Sequence, residues 1–220
     1  GLPVSLVAAT NENAAAHGAL RHGVWARHPL VATPSTAIDI AVPYNFWRTL
    51  YFATGGDAAA IRAMQDAYNA GKSVLIPAPV LAKLRAVFCS AAVSNTQTIA
   101  VMADTFNIGG GSGGGGVEGY LMCPHTAVAM AAVAIPGLLY RGDTLATLSS
   151  PGSPVVIVAT AHPSKFGNTV RKALKLRPDD PLPTSAYHPS VEAAKGLFHR
   201  RRECALEDLE RSLRRSILAV

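Results

Sequence analysis

The sequence lacks the features of a membrane-spanning or disulfide-stabilised protein. No uninterrupted apolar run reaches the roughly 18 residues that a transmembrane helix needs, so we expect no membrane partner. No charged and then apolar leader opens the chain, and we predict a cytoplasmic location. The three cysteines, Cys89, Cys123 and Cys204, are odd in number and widely spaced, which excludes a disulfide framework and offers no metal-ligand spacing.

Charged residues are also scarce, at 15% of the chain, whereas hydrophobic residues make up 49%. In a chain of 220 residues, this composition predicts a globular protein with a sizeable core. The net charge of +6 is concentrated near the C-terminus, where arginines alternate with acidic residues at helical spacing. That pattern predicts a solvated C-terminal helix over 199–220, lying on the core, and no nucleic-acid partner. Its apolar stripe consists of Leu206, Leu209, Leu213 and Ile217.

The run from Gly109 to Gly116 contains only Ser112 besides glycine. A phosphate-binding loop needs glycines at particular positions between a strand and a helix. A nearly pure glycine run specifies no conformation, so we interpret 109–116 as a flexible insertion. No boundary elsewhere is sharper, and we predict a single segment over 1–220.

Short apolar segments alternate with helical patterns along the chain, which predicts an α/β layer structure. Val4 to Ala9 is typical of a strand, and the polar residues after it, Asn11 and Asn13, either cap the next helix or face a ligand. Asp57 is expected to cap a later helix. Ser94 and Gln97 match a capping box, in which each side chain satisfies the other's backbone donor.

The most distinctive segment runs from Val155 to Phe166, with the sequence VVIVATAHPSKF. Its apolar, β-branched beginning is typical of a central parallel strand buried on both faces. Pro163 suits the first position of a helix. Thr160 would then lie at the carboxyl end of a strand, where open α/β sheets bind their ligands. An ordinary strand-to-helix turn explains the same pattern, and from these residues alone both interpretations stay open.

Four segments, in their order and approximate spacing, resemble the C-terminal half of threonine synthase, a pyridoxal-phosphate enzyme with the tryptophan-synthase-β type of fold. Looser matches lie over 33–40 and at Asn45-Phe46, and the resemblance covers the chain except for the glycine run. The four segments are Gly1-Leu2-Pro3 leading into Ala9-Thr10-Asn11-Glu12-Asn13, Val93-Ser94-Asn95, Pro124-His125-Thr126-Ala127-Val128, and Ala159-Thr160-Ala161-His162-Pro163-Ser164-Lys165-Phe166.

The resemblance implies a helix-rich three-layer α/β fold with a short parallel sheet, the C-terminal part of a fold-type II pyridoxal-phosphate enzyme. It also implies that the Thr160 hydroxyl bonds to the pyridine nitrogen of the cofactor. The family's Schiff-base lysine and phosphate loop lie before the matched region, so no catalytic residue and no metal site are expected here. The pocket-lining candidates are Asn11, Asn13, His125, Thr126 and His162.

The activity that the resemblance implies is the conversion of O-phospho-L-homoserine and water to L-threonine and phosphate, in threonine biosynthesis. We expect this segment to be inactive alone, because the lysine is absent from it. Its expected partners are the small-molecule substrate and its own N-terminal half. Two alternatives stay open: a non-catalytic threonine-synthase-like binding protein, and a related pyridoxal-phosphate-dependent dehydratase.

Two positions depart from the family's pattern. Cys123 stands where family members often have Asp before Pro-His-Thr-Ala, and Ala14 follows Asn13 where Asp is usual. Each change replaces a carboxylate with a neutral side chain and is expected to alter the polarity of the pocket.

Overall fold

The computed structural model describes residues 4–108, 119–148, 154–197 and 204–218. The predicted glycine insertion lies outside these ranges. The chain divides into two compact units, Gly1–His188 and Pro189–Val220. Among the described residues, no helix is long and apolar enough to span a bilayer.

Within the described residues, the first unit contains six short strands, seven α-helices and three 3₁₀ turns. The strands are β1 (Leu6–Thr10), β2 (Val24–Trp25), β3 (Val74–Leu75), β4 (Phe88–Ala92), β5 (Tyr140–Arg141) and β6 (Thr144–Leu145). The helices are α1 (Ala15–His22), α2 (Asn45–Ala53), α3 (Ala58–Asn69), α4 (Ala78–Val87), α5 (Asn95–Asn107), α6 (Pro124–Ala134) and α7 (Gly167–Leu174), with 3₁₀ turns at Thr36–Ile38, Pro163–Lys165 and Thr184–Ala186.

The main sheet has the order β1-β4-β5-β6, and the fold is a helix-rich α/β structure, as predicted. β1 and β4 pair in parallel over five residues, from Leu6 opposite Phe88 to Thr10 opposite Ala92. β5 and β6 pair in antiparallel fashion, so the sheet is mixed, whereas a parallel sheet is predicted. β1 forms one edge of this sheet within the described part of the chain.

The helix caps show which helix ends can be predicted from neighbouring residues alone. The Asp57 carboxylate accepts a hydrogen bond from the Ala60 N–H, and Ser94 and Gln97 form the reciprocal capping box, as predicted. The expectation that Asn11 or Asn13 caps α1 is wrong. Ala14 occupies the N-cap position without a side-chain cap, because both amides bond elsewhere, as described below.

The prediction of a buried central strand at Val155–Val158 is also wrong. This segment has no regular secondary structure and no ladder partner among the described residues. The side chains of Val155, Val156 and Val158 are 51%, 83% and 72% exposed. A strand is defined by the partner that satisfies its N–H and C=O groups. Residue pattern alone therefore cannot produce one.

Two apolar clusters form the core of the first unit. One lies around β4, α5, α6 and α7 and includes Met102, Val128 and Val170, all almost completely buried. The other surrounds α1 to α4 and is centred on Trp25, whose ring stacks on Phe46 at a centroid distance of 4.4 Å. The first cluster supports the segments that carry the polar residues of interest.

The second unit contains α8 (Pro189–Lys195), a 3₁₀ turn at Leu206–Asp208 and α9 (Leu209–Leu218). The predicted C-terminal helix is thus described from residue 206 to 218, and the side chain of Ile217 lies outside the description. Ion pairs join Arg211 to Asp208 and Arg214 to Glu210. Leu206, Leu209 and Leu213 of the stripe are 84%, 43% and 52% exposed, and the expectation that this helix lies on the core stays a prediction.

Gly23 ends α1 with a φ of +71°, and an added Cβ there would lie 2.7 Å from the Leu81 Cδ2 atom. We expect Gly23→Ala to reduce the free energy of unfolding by about 1–2 kcal/mol, because it adds left-handed strain to a clash. Gly18, inside the same helix with open space around it, is the matched control. Gly18→Ala should raise stability by about 0.5–1 kcal/mol. Urea unfolding of both variants checks the difference, and equal effects would contradict it.

Candidate functional site

A hydrogen-bonded polar cluster lies at the carboxyl end of β1 and is centred on the Asp39 carboxylate. Its Oδ1 atom accepts hydrogen bonds from the Asn11 amide at 2.8 Å and the Thr33 hydroxyl at 2.5 Å. Asn13 donates a longer bond to the same oxygen, at 3.2 Å. The Thr33 N–H donates to Oδ2 at 2.9 Å. These four donors satisfy the carboxylate and fix Asp39 against the end of the strand.

Asn11 joins β1 to the loop over 31–39. Its side chain is only 2% exposed, and its Nδ2 group also lies 3.0 Å from the Ser35 hydroxyl. Its Oδ1 accepts from the Asn13 N–H at 2.9 Å. Asn13 in turn pairs with both backbone groups of Val31, each at 2.8 Å. Both asparagines are therefore committed to holding this loop, which explains why neither caps α1.

The N-terminus of α6 forms a second part of the site. Pro124 begins the helix, and Cys123 occupies the N-cap position. The Cys123 Sγ atom accepts a long hydrogen bond from the Thr126 N–H at 3.4 Å and lies 3.1 Å from the Thr126 hydroxyl. The His125 Nδ1 atom is 3.8 Å from the same sulfur. A neutral thiol is a weaker cap than a carboxylate, so this helix end carries no fixed negative charge.

His125 is 8% exposed, and its Nε2 atom has no hydrogen-bond partner within the described part of the chain. Burial lowers the pKa of His125 below its ordinary value of 6.5, while the negative charge of Asp39 acts in the opposite direction. His125 is therefore neutral at pH 7. The influence of Asp39 connects the α6 terminus electrostatically to the cluster at β1.

The Thr160 segment forms the third part. Thr160 is exposed and follows the irregular segment Val155–Val158 in the chain. His162 is half-buried and caps the 3₁₀ turn that begins at Pro163, with its Nδ1 atom accepting from the Ser164 N–H at 3.2 Å. The predicted role of Pro163 as the first residue of a helical turn is confirmed. The Phe166 ring, which ends this turn, contacts the His125 ring edge-to-face at a centroid distance of 4.8 Å.

The structure thus links the sequence-predicted residues in three groups and does not place them all in contact. Asn11 and Asn13 share one cluster, His125 and Thr126 share the α6 terminus, and Thr160 and His162 share one segment. Asp39 and Phe166 connect these groups and were not predicted as site residues. The sequence signals for Asp39 were its polar side chain between Ile38 and Ile40 and its place in the looser match over 33–40.

The side chains of this chain fit only one part of a pyridoxal-phosphate site. Thr160 offers an exposed neutral hydroxyl, which can bond to a pyridine nitrogen but cannot keep it protonated as a carboxylate would. All six lysines are exposed on the described surface, and none lies in the polar cluster. Among the described residues, no group of three or more His, Cys, Asp and Glu side chains comes together as metal ligands.

Comparison with known proteins agrees with this architecture. A family model described as threonine synthase, C-terminal, matches residues 137–212, which include Thr160 and His162. Human threonine synthase-like 2 is 30% identical over 185 residues, covering 82% of this chain and 34% of that protein. Threonine synthase from Pseudomonas aeruginosa is 31% identical over 174 residues, covering 79% of this chain and 33% of that protein.

Among solved structures, the pyridoxal-phosphate-bound threonine synthase from Brucella melitensis superposes with a TM-score of 0.67 and 28% identity, covering 82% of this chain and 35% of that one. The chain is therefore an α/β protein with the fold of threonine synthases. More particularly, it is related to threonine synthases and corresponds to their C-terminal part. It spans about a third of the length of the relatives that it matches.

Removing the Asp39 carboxylate should be strongly destabilising. In Asp39→Ala, the buried Asn11 and Thr33 donors lose their acceptor, and we expect the free energy of unfolding to fall by about 2–4 kcal/mol. Asp57→Ala is the matched control, because that exposed carboxylate accepts one bond from the Ala60 N–H. Its loss should cost about 1 kcal/mol. Denaturant unfolding measures both, and a smaller loss for Asp39→Ala than for Asp57→Ala would contradict the central role of Asp39.

The stability of the folded chain should fall as pH is lowered from about 7.5 to about 5. Burial lowers the pKa values of His17 and His125 below 6.5 in the folded state. As pH falls through the unfolded pKa, the unfolded state binds protons that the folded state does not, so stability is lost. His125→Phe should flatten this dependence, whereas His28→Phe, at an exposed histidine, should not. Urea midpoints across pH test this, and an unchanged slope in His125→Phe would refute it.

Proposed function

We propose that this chain is the C-terminal portion of a pyridoxal-phosphate-dependent threonine synthase, which converts O-phospho-L-homoserine and water to L-threonine and phosphate. The observation that carries the proposal is the Thr160–His162 segment within the region that matches the threonine synthase C-terminal model. The lysine and the phosphate-binding loop would come from an N-terminal part, which is the proposed partner of this chain.

Thr160 is the proposed contact for the cofactor's ring nitrogen. Its hydroxyl donates a hydrogen bond to that nitrogen without transferring a proton, which moderates electron withdrawal by the ring. When bound, pyridoxal phosphate supplies the electron sink that stabilises carbanions. His162 caps the turn directly after Thr160 and so limits its movement.

The remaining predicted residues are proposed to form part of the substrate wall. Asn11 and Asn13 hold the loop over 31–39 in place, and their amide groups are already satisfied by that loop. His125 and Thr126 present a neutral helix N-terminus beside it, with Cys123 as the cap. A helix N-terminus without a fixed carboxylate favours an anionic group, such as the carboxylate or phosphate of the proposed substrate.

A non-catalytic binding protein is the second candidate. The similarity to threonine synthase-like 2 proteins, at about the same identity as to threonine synthases, favours it. In that case the same residues would bind a small molecule without turnover. The two candidates differ in one measurable property, the formation of threonine.

The test is threonine formation by the chain joined to an N-terminal part that carries the lysine and phosphate loop. We expect turnover of O-phosphohomoserine from the joined protein and none from these 220 residues alone. Thr160→Ala should weaken pyridoxal-phosphate binding about tenfold, from loss of one hydrogen bond, and Thr160→Ser should restore it. Thr147→Ala, at an exposed threonine outside the segment, is the control.

Cofactor binding is followed by its absorbance, separately from threonine formation. Ligand-induced stabilisation without threonine would favour the binding protein over the enzyme. Turnover by the 220 residues alone would refute the proposed division of the site between two parts of the protein.

A further inference from the structure

The segment that carries Thr160 is held from one side only within the described part of the chain. In its N-terminal half Val155, Val156 and Val158 are exposed, and the half has no strand partner among the described residues. Its C-terminal half forms a closed turn, in which the Lys165 and Phe166 N–H groups donate to the carbonyls of His162 and Pro163. The position of Thr160 therefore depends on what holds the residues that follow it.

Phe166 joins this turn to the next helix. It ends the 3₁₀ turn and directly precedes α7. The His125 ring lies 4.8 Å from the Phe166 ring with an interplanar angle of 63°. Edge-to-face contacts of this kind stabilise aromatic pairs beyond the area that they bury.

A second contact, from the loop over 31–39, acts on the same end of the segment. The Thr169 hydroxyl donates to the Pro34 carbonyl at 3.4 Å, and Val170 is completely buried next to it. Asp39 fixes that loop through Thr33, as described above. The long Thr169 bond is weak. Two ring contacts therefore restrain the turn: His125 against Phe166, and His162 against His188 at a centroid distance of 5.0 Å.

The chemistry of His125 suits a bracing role more than a polar one inside this chain. Its Nδ1 atom is at the limit of contact with Cys123, and its Nε2 atom has no partner among the described residues. Because burial lowers its pKa, the ring is neutral at pH 7 and packs against Phe166 without burying a charge. Its contribution to the turn is thus the shape of the ring.

We propose that His125 is a positioning residue, which holds the Thr160 segment in place through its ring contact with Phe166. The functional meaning of this contact rests on the proposed role of Thr160 as the cofactor contact. The contact itself does not depend on the cofactor, and so it can be tested without turnover.

The experiment is hydrogen exchange of the Ser164, Lys165 and Phe166 amides in the full 220-residue chain, with the α5 amides as internal reference. His125→Ala removes one aromatic contact. It should therefore raise the hydrogen-exchange rates of these three amides about tenfold relative to the rates of the α5 amides. His125→Phe keeps a ring of similar shape and should retain slow exchange. This second variant also separates loss of the contact from loss of the fold.

His17→Ala is the matched control, because His17 is another buried histidine with an edge-to-face aromatic neighbour, Tyr140. His17→Ala should leave unchanged the ratio of the exchange rates of the turn amides to those of the α5 amides. The proposal is overturned if His125→Ala leaves that ratio unchanged, if His17→Ala raises it equally, or if His125→Phe exchanges as fast as His125→Ala. Slow exchange in the unaltered chain together with unchanged pyridoxal-phosphate binding by Thr160→Ala in the joined protein would instead refute only the role of Thr160.

Discussion

The structure depends on the hydrogen bonds that Asp39 accepts from Asn11 and Thr33. The carboxylate fixes a loop of irregular backbone against the end of β1, where the buried Asn11 would otherwise lack an acceptor. Buried polar groups that are fully bonded rigidify their surroundings, whereas a single missing partner is costly. The same carboxylate acts on the pKa of His125. One side chain thereby connects three segments that are far apart in sequence.

The sequence predicted those features that are determined by neighbouring residues. Asp57 and the Ser94–Gln97 pair were identifiable as caps, because their partners lie three residues away. Features that depend on distant partners were not predictable in this way. β4, with the weakly β-forming sequence FCSAA, exists because it pairs with β1, whereas Val155–Val158 has no such partner in the part of the chain that the structure describes. For Asn11, a helix cap was one of two interpretations, and its acceptors in the structure lie more than 20 residues away.

The candidate site was predicted in its members but not in its connections. The resemblance to threonine synthase supplied Thr160, His125 and the two asparagines as individual residues. Asp39 and Phe166 lie within the matched segments, but neither was named as a site residue, because no local pattern shows which side chains they contact. Their importance lies in which side chains they contact, and such contacts are set by the packing of α6 and α7 on the sheet.

Thr160 lies at a boundary between two physically different halves of one segment. The residues after it are restrained by a hydrogen-bonded turn and an aromatic contact, while the valines before it expose apolar surface. Consecutive exposed β-branched residues are unusual on a protein surface that functions uncovered. A partner strand placed against them would satisfy their backbone and cover the valines in one step. It would also fix Thr160 from its other side, so that the hydroxyl would be fully positioned only when both parts of the proposed enzyme are together.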